Sequence, residues 1–349
     1  MTFKDAVISA ENNFCTYRDY LDVILIAHVL EPRGSDNIMQ LNCSEAEHFT
    51  IQEFNEIYQG IVNGGFFIKN IFFNELDFIK NIILDPSVYT NSIVFNLCRN
   101  GIKMNNKTII PSICNLLGIP FTSASAGSCA LARNKLLFTS YLNANGIPCP
   151  ITGCHADDFK NRITQDSTVI CKPIDSSASQ GINKYSIMSL SDALYSLSKN
   201  YFIQEYIDGY ECEVPIFYSH GQCFAMSPVG ISFPSDAKMD IVSENDSLNN
   251  NYNFYNLSDV FEVNVCERIM CDAEKVSKLM EFETYSRIDF RIDKKTHCHY
   301  LMDISTTPYV TKHSSFAFIV NKTGGEYSDI FRLIIDSSLY RNNIYKDKN

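Results

Sequence analysis

Residues 169–182 read VICKPIDSSASQGI and are the most informative part of this chain. The apolar residues before Lys172 have the character of a buried strand, and a run of small residues follows as far as Gly181. A lysine that closes a buried strand in front of such a loop can hold a phosphate through its charge and through backbone N–H groups. Read alone, the pattern also suits an ordinary surface loop whose lysine is solvated.

Residues 203–211, IQEYIDGYE, form the next informative segment. The pattern predicts a strand that runs into a turn and then into a second strand. Such a segment can offer backbone edges to a planar base and an acidic side chain to a ribose. An ordinary hairpin with solvated acids is the alternative at this point.

Two further stretches, SRIDFRID at 286–293 and MDIS at 302–305, predict neighbouring strands with polar faces. Period-two alternation places four charged side chains on one face of the first strand, namely Arg287, Asp289, Arg291 and Asp293. On the second strand the same alternation places Asp303 and Ser305 together. Paired acids on adjacent strands can chelate Mg²⁺, and a nearby arginine can stabilise charge on a phosphoryl group. A solvated, salt-bridged face is the alternative.

The composition excludes several classes of protein. With 45% hydrophobic and 20% charged residues, the 349-residue chain has enough apolar surface for folded domains. A net charge of −11 argues against nucleic acid or an anionic membrane as a partner. The apolar stretches fall short of the ~20 residues that a membrane span needs, and Asp5 interrupts any signal-peptide core. The 13 cysteines include no CxxC pair, which indicates free thiols in a reducing, cytoplasmic setting.

The order of elements along the chain predicts an α/β first third and α+β units after it. Thr50 and Glu53 form a capping box before an amphipathic helix, and residues 127–145 are helical in pattern. GIPCP at 146–150 is the stiffest break in the chain. Residues 232–258 are polar, Asn-rich and aperiodic, so we interpret them as a loop and a candidate lid.

Taken in order, these segments resemble the ATP-grasp superfamily, and specifically its D-alanine–D-alanine ligase branch. The resemblance runs from about residue 92 to residue 339 and includes LLGIPFTS at 116–123, NK at 134–135 and SRIDF at 286–290. It implies an ATP-grasp fold of mixed α/β and α+β domains. The implied domains are an N-terminal α/β pre-ATP-grasp domain at 1–122, a central subdomain with the phosphate loop at 123–204, and a C-terminal catalytic subdomain at 205–349.

The resemblance also implies roles for individual residues. The implied catalytic residues are Arg287, Lys172 and Ser314. The implied ATP-binding residues are Lys135, Lys172, Ser179, Gly181, Gln204, Glu205, Tyr206, Ile207 and Glu211. The implied metal ligands are Asp289, Asp303 and Ser305, with Mg²⁺ as the metal and Mn²⁺ as its alternative.

The sequence also departs from the family pattern. Asp303-Ile304-Ser305 stands where the family has Glu-x-Asn, and Tyr309 stands where it has a glycine. The phosphate loop carries Ala178 in place of a hydroxyl residue, and residues 1–90 show no glycine-rich signature. We therefore expect a substrate pair other than two D-alanines.

The resemblance implies an ATP-dependent ligase that joins a carboxylate to an amine through an acyl phosphate and releases ADP and phosphate. We expect small-molecule substrates, with neither nucleic acid nor membrane as partner, and a homodimer is left open. Two alternatives remain at this stage. One is a non-catalytic ATP-binding module, which the weakened Asp303 and Ser305 pair favours. The other is a phosphotransferase of the same fold.

Overall fold

The computed structural model describes residues 1–29, 48–99, 106–176, 179–182, 184–233, 241–242, 246 and 249–342. Three separate β-sheets organise these residues. The predicted classes of structure, α/β first and α+β afterwards, are confirmed. Ala178 of the phosphate loop and residues 234–240, 243–245 and 247–248 of the candidate lid lie outside the described residues.

The first sheet is parallel and has β1 (Asp22–Ile26) at its centre, between β2 (Phe67–Phe72) and β3 (Ser92–Asn96). Its neighbouring helices are α1 (Phe3–Tyr17), α2 (Ile51–Asn63), α3 (Glu75–Leu84) and α4 (Ile109–Leu117). The predicted capping box of α2 is present, because Thr50 Oγ1 accepts from the Glu53 N–H and the Glu53 carboxylate accepts from the Thr50 N–H.

Two helices, α5 (Ala126–Arg133) and α6 (Lys135–Ala144), replace the single helical segment predicted at 127–145. Asn134 interrupts the helical path because its backbone is extended, at φ −93° and ψ 98°. Its side chain then accepts from the Leu137 N–H and caps α6. As a consequence of this break, Lys135 lies in the first turn of a new helix.

The second sheet is antiparallel, in the order β4-β7-β5-β6. Its elements are β4 (Thr152–Gly153), α7 (Ala156–Phe159), β5 (Thr168–Pro173), β6 (Ile187–Ser189), α8 (Leu190–Ser196) and β7 (Tyr201–Glu205). The strand predicted to end at Lys172 is confirmed as β5, which pairs with β6 and β7.

The third sheet is also antiparallel, in the order β11-β10-β8-β12-β13, with β9 paired to β8. Its elements are β8 (Gly209–Ser219), β9 (Gln222–Ala225), β10 (Val229–Ser232), β11 (Asn253–Asn256), α9 (Val263–Leu279), β12 (Tyr285–Asp293) and β13 (His299–Ser305). The prediction of an aperiodic loop over 232–258 is wrong at 253–256, which pair with β10. The half-buried aromatic side chains of Phe254 and Tyr255 lie in this short strand.

The chain closes with α10 (Ser315–Lys322) and α11 (Tyr327–Arg341), and α11 packs on α1, α2 and β8. One apolar core therefore joins the first sheet to the C-terminal helices. At its centre Gly60 permits the close approach of Phe331, since a Cβ there would lie 2.1 Å from the ring. The apolar residues of α5 and α6 belong to the core of the third sheet. The domain division at residues 123 and 205 stays a proposal.

In the part of the chain that the structure describes, no helix is both long enough and apolar enough to cross a bilayer. The described cysteines are all free thiols, as the spacing predicts.

Candidate active site

A cavity with an empty volume of about 1620 Å³, its open mouth included, lies where the three sheets approach one another. Most of the predicted site residues line it. Those residues are Lys135, Lys172, Ser179, Glu205, Tyr206, Ile207, Glu211, Arg287, Asp289, Asp303 and Ser305. The structure thus brings together side chains that are up to 170 positions apart in the sequence.

Lys172 comes from β5 and is buried against β7. Its Nζ donates to Gln204 Oε1 over 2.8 Å. Burial, followed by repulsion from Lys135, lowers the pKa of Lys172 to about 8. The ammonium is therefore poorly compensated by the protein and is suited to a bound anion.

Lys135 reaches from the start of α6 and forms an ion pair with Asp303 of β13. Burial alone would raise the pKa of Asp303. The charge and the hydrogen bond of Lys135 lead the effects in the opposite direction, which together are larger, so this pKa lies below its usual value. Asp303 is therefore ionised, and its second oxygen accepts from the Ile304 N–H.

Arg287 of β12 holds two carboxylates. Its Nε and Nη2 donate to the two oxygens of Asp289 at 2.7 and 2.8 Å, and Nη1 lies 3.1 Å from Glu213 Oε1. This bidentate arrangement fixes the plane of the guanidinium. Burial raises the pKa of Glu213 to about 7 and also raises that of Asp289, with Arg287 opposing both shifts.

Arg291, two residues further along β12, is only 1% exposed and connects the predicted adenine segment to the third sheet. Its Nη1 donates to Glu211 Oε1 over 2.7 Å, and its Nε donates to the carbonyl of Ile207 over 2.5 Å. Its Nη2 also lies 3.3 Å from the hydroxyl of Tyr206. Burial raises the pKa of Glu211 although Arg291 opposes the shift. The predicted contact of Glu211 with a ribose stays a prediction.

Three predicted site residues do not line the cavity. Ser314 is buried as the N-cap of α10: its Oγ accepts from the Ala317 N–H and donates to the carbonyl of Thr311. Its hydroxyl is therefore engaged in a helix cap, and its predicted catalytic role stays a prediction. Gln204 supports Lys172 from behind and also donates to Thr152. Gly181, at φ +75°, allows the phosphate loop to turn back toward Pro173.

The predicted metal ligands fit a hard divalent cation by their chemistry. Asp289 and Asp303 are cross-strand partners on β12 and β13, and both contribute carboxylate oxygens, which Mg²⁺ prefers. Ser305 lies opposite Arg287 and lines the cavity with them. Arg287 pairs with Asp289, and Lys135 pairs with Asp303. A metal ion bound to the two carboxylates would add to these positive charges or displace them.

Sequence reasoning missed several residues that line the cavity. Glu213 lies two positions after Glu211 on β8, so strand alternation could have found it. Arg99, from the loop after β3, carries no local signal of this kind. Its guanidinium carbon lies 3.3 Å from the ring centroid of Tyr309 and 5.2 Å from that of Phe49. Tyr309, which stands where the family pattern has a glycine, lines the cavity and stacks on Arg99.

Comparison with known proteins agrees with this architecture. The family model described as D-ala D-ala ligase C-terminus matches residues 155–336, just over half of the chain. A D-alanine–D-alanine ligase of Marinomonas sp. (strain MWYL1) is 25% identical over 286 residues, which are 76% of this chain and 84% of that protein. Another from Wolbachia sp. subsp. Brugia malayi (strain TRS) is 25% identical over 258 residues, which are 68% of this chain and 75% of that protein.

Solved structures show the same fold at lower identity. The D-alanine–D-alanine ligase from Bacillus anthracis complexed with ATP gives a TM-score of 0.66 at 17% identity, over 93% of this chain and 99% of that chain. The Coxiella burnetii ligase gives 0.63 at 15% identity, over 94% and 97%. The family match, the fold and the shared order of site residues together establish that this chain belongs to the D-alanine–D-alanine ligase family of the ATP-grasp ligases.

Proposed function

We propose that the protein joins the carboxylate of one small molecule, an amino acid, to the amine of another at the expense of ATP. One observation carries the proposal. The two lysines expected at the phosphates and the two acids expected at the metal line a single cavity, and Lys135 and Asp303 are in direct contact. A site for polyphosphate transfer needs this arrangement of cations facing paired carboxylates.

Asp289 and Asp303 would hold Mg²⁺, or Mn²⁺ in its place, and the ion would neutralise charge on the phosphate oxygens. Around it, Lys135 and Lys172 supply fixed positive charge, and Arg287 presents N–H donors that Asp289 holds in one plane. These groups bind and orient the reactants, which is most of what phosphoryl transfer requires from a protein.

The chemical steps take place between the substrates. A carboxylate oxygen of the donor attacks the γ-phosphorus of ATP, the bond from that phosphorus to ADP breaks, and an acyl phosphate forms. The amine then attacks the acyl carbon, phosphate departs and the nitrogen loses a proton. The thiols that line the cavity, Cys129 and Cys212, stay neutral because burial raises the pKa of each. They therefore do not supply a nucleophile of their own.

The substrate pair is a narrower proposal. The named relatives act on D-alanine, and their names do not confirm a different pair for this chain. Two cavity residues support a difference: Tyr309 in place of the family glycine, and the arginine that stacks on it. We propose an amino-acid pair other than two D-alanines, and a homodimer stays a prediction.

Phosphate release is expected only when ATP, Mg²⁺, a carboxylate donor and an amine acceptor are all present. The assay is a screen of paired amino acids that includes D-alanine with itself, with products identified by mass. ADP is expected as the nucleotide product, and hydroxylamine is expected to trap the acyl phosphate as a hydroxamate.

Each alternative gives a different result in that screen. AMP with pyrophosphate would contradict the acyl-phosphate route. A stable phosphorylated product without an acceptor would indicate a phosphotransferase. Nucleotide binding without turnover for any pair would indicate a binding module. D-alanyl-D-alanine as the main product would contradict only the proposed substrate difference.

Nucleotide binding is expected to take up protons at alkaline pH. The pKa of Lys172 is about 8 in the free protein, and a bound polyphosphate raises the pKa of a lysine beside it. At a pH of about 9, Lys172 is mostly neutral before binding and charged afterwards, so uptake approaches about one proton per nucleotide. Apparent affinity therefore falls as the pH rises above 8.

Calorimetric titration with ADP and Mg²⁺ in two buffers of different ionisation enthalpy measures this uptake. Lys172→Arg is the matched control, because it keeps the charge but does not titrate in this range. Equal heats in the two buffers for the unmodified protein would show that Lys172 does not meet the phosphates.

A further inference from the structure

Arg99 is a buried cation on the cavity wall. The residue is 5% exposed, and its guanidinium carbon lies 3.3 Å from the ring centroid of Tyr309 and 5.2 Å from that of Phe49. The two rings pack edge to face with centroids 5.3 Å apart, so the guanidinium stacks on Tyr309 beside the pair. Cation–π attraction to the Tyr309 ring therefore helps to hold the side chain in place.

Two of its donors have nothing to donate to. Among the residues that the structure describes, Arg99 Nε and Nη2 are buried and have no hydrogen-bond partner. A buried guanidinium without an anion is unfavourable, because it has lost its hydration and gained no compensating charge. Departures of this kind from full hydrogen bonding are expected at functional sites, where a ligand supplies the missing partner.

The acids of the cavity do not supply that anion. Glu213 and Asp289 are paired with Arg287, and Glu211 with Arg291. Asp303 is paired with a lysine of α6. Glu205, the remaining acid of the described lining, accepts from the Ile151 N–H. Since none of these carboxylates is paired with Arg99 in the part of the chain that the structure describes, its charge is available to a ligand.

A carboxylate suits this arginine better than a phosphate does. The phosphates have their own cations in the proposed function, the lysines of β5 and α6. Arg99 approaches instead from the first sheet, with Tyr309 of the segment after β13. Its free Nε and Nη2 form the edge of the guanidinium that binds a planar carboxylate through two parallel hydrogen bonds. Ser314, one of the implied catalytic residues, caps a helix and does not line the cavity.

We propose that Arg99 binds a substrate carboxylate other than the one that is phosphorylated. This inference rests on the proposed function, because it places the substrate in the same cavity. Such a carboxylate has two sources. One is the free α-carboxylate of an amino-acid acceptor, and the other is the second carboxylate of a dicarboxylic donor. Tyr309 is then a positioning residue that holds the guanidinium plane.

The test measures binding without turnover, so it does not depend on the ligase reaction. Melting temperatures are recorded with ADP and Mg²⁺ in the presence of ligand pairs that differ by one carboxylate. The pairs are D-alanine with D-alaninamide, L-alanine with L-alaninamide, L-glutamate with L-glutamine, and D-glutamate with D-glutamine. In at least one pair the carboxylate member is expected to stabilise the protein more. An alanine pair would identify an acceptor α-carboxylate, and a glutamate pair a dicarboxylic donor.

In Arg99→Met the carboxylate-dependent part of that stabilisation is expected to disappear, with affinity weaker by about 30-fold or more. Arg99→Lys keeps the positive charge but loses the paired N–H donors of the guanidinium. This variant is expected to retain only a fraction of the carboxylate-dependent stabilisation, with affinity about tenfold weaker. Methionine is apolar and flexible enough to pack against the Tyr309 ring. An unchanged shift from ADP alone shows that either variant is folded.

Arg332→Met is the matched control. Arg332 is paired with Asp329 on α11 and does not line the cavity, so this variant is expected to keep the carboxylate-dependent shift. Equal shifts in the wild type and in both Arg99 variants would overturn the proposal, as would the absence of a carboxylate-dependent shift in all four pairs. Loss of the ADP shift in Arg99→Met would place the arginine at a phosphate and would also overturn it.

Discussion

Replacing Asp303 with asparagine is expected to slow phosphate release by about 10²–10³-fold, the cost of losing one preorganised electrostatic contact at a reacting phosphoryl group. Asp303 pairs with Lys135 and lies opposite Asp289 across β12 and β13. Asparagine keeps the shape of the side chain but removes its charge. The substitution therefore leaves Lys135 uncompensated and takes one anionic ligand from the expected metal.

The rate is measured in a single turnover at saturating ATP and Mg²⁺, with the melting temperature as a check on folding. Asp293→Asn is the matched control, because Asp293 belongs to the same alternating series but ends β12 beside the turn that follows it. Its carboxylate accepts from the N–H groups of Lys295 and Thr296. This control is expected to keep a nearly normal rate. Full turnover by Asp303→Asn would place the metal elsewhere.

Arg291→Met is expected to lower the free energy of unfolding by about 3–5 kcal/mol, the range for breaking a buried ion pair from one side. The substitution leaves Glu211 beside an apolar side chain and frees the carbonyl of Ile207. Since both belong to the segment expected to hold the adenine and ribose, nucleotide affinity is expected to fall as well.

Chemical denaturation with an unchanged m-value measures the loss of stability. Lys294→Met breaks the exposed pair with Asp208 beside the ends of the same two paired strands, β8 and β12, and is expected to cost about 0–1 kcal/mol. Adding Glu211→Gln to Arg291→Met is expected to recover part of the loss, because it removes the uncompensated charge. A loss equal to that of Lys294→Met would show that the buried pair contributes no more than a surface one.

Local sequence determined the elements that depend on neighbouring residues. The strand, turn and strand predicted around 203–211 and the strand predicted over 286–293 are present as β7, β8 and β12, because alternating side chains between turn residues specify a strand directly. The capping box at Thr50 is also correct, since its donor and acceptor lie three positions apart. Ordered motifs were enough to place eleven of the predicted site residues in one cavity.

Local pattern and ordered motifs therefore specified the classes of structure, the main strands and many, but not all, of the charged residues that line the cavity. The tertiary structure alone decided which partner each polar side chain takes. Ser314 caps a helix rather than reaching the cavity, and Arg291 holds Glu211 from the opposite strand. Arg99 meets Tyr309 from more than 200 positions away. The physical reason is that hydrogen bonds and ion pairs are short-range, so their partners are set by which distant strands and loops pack together.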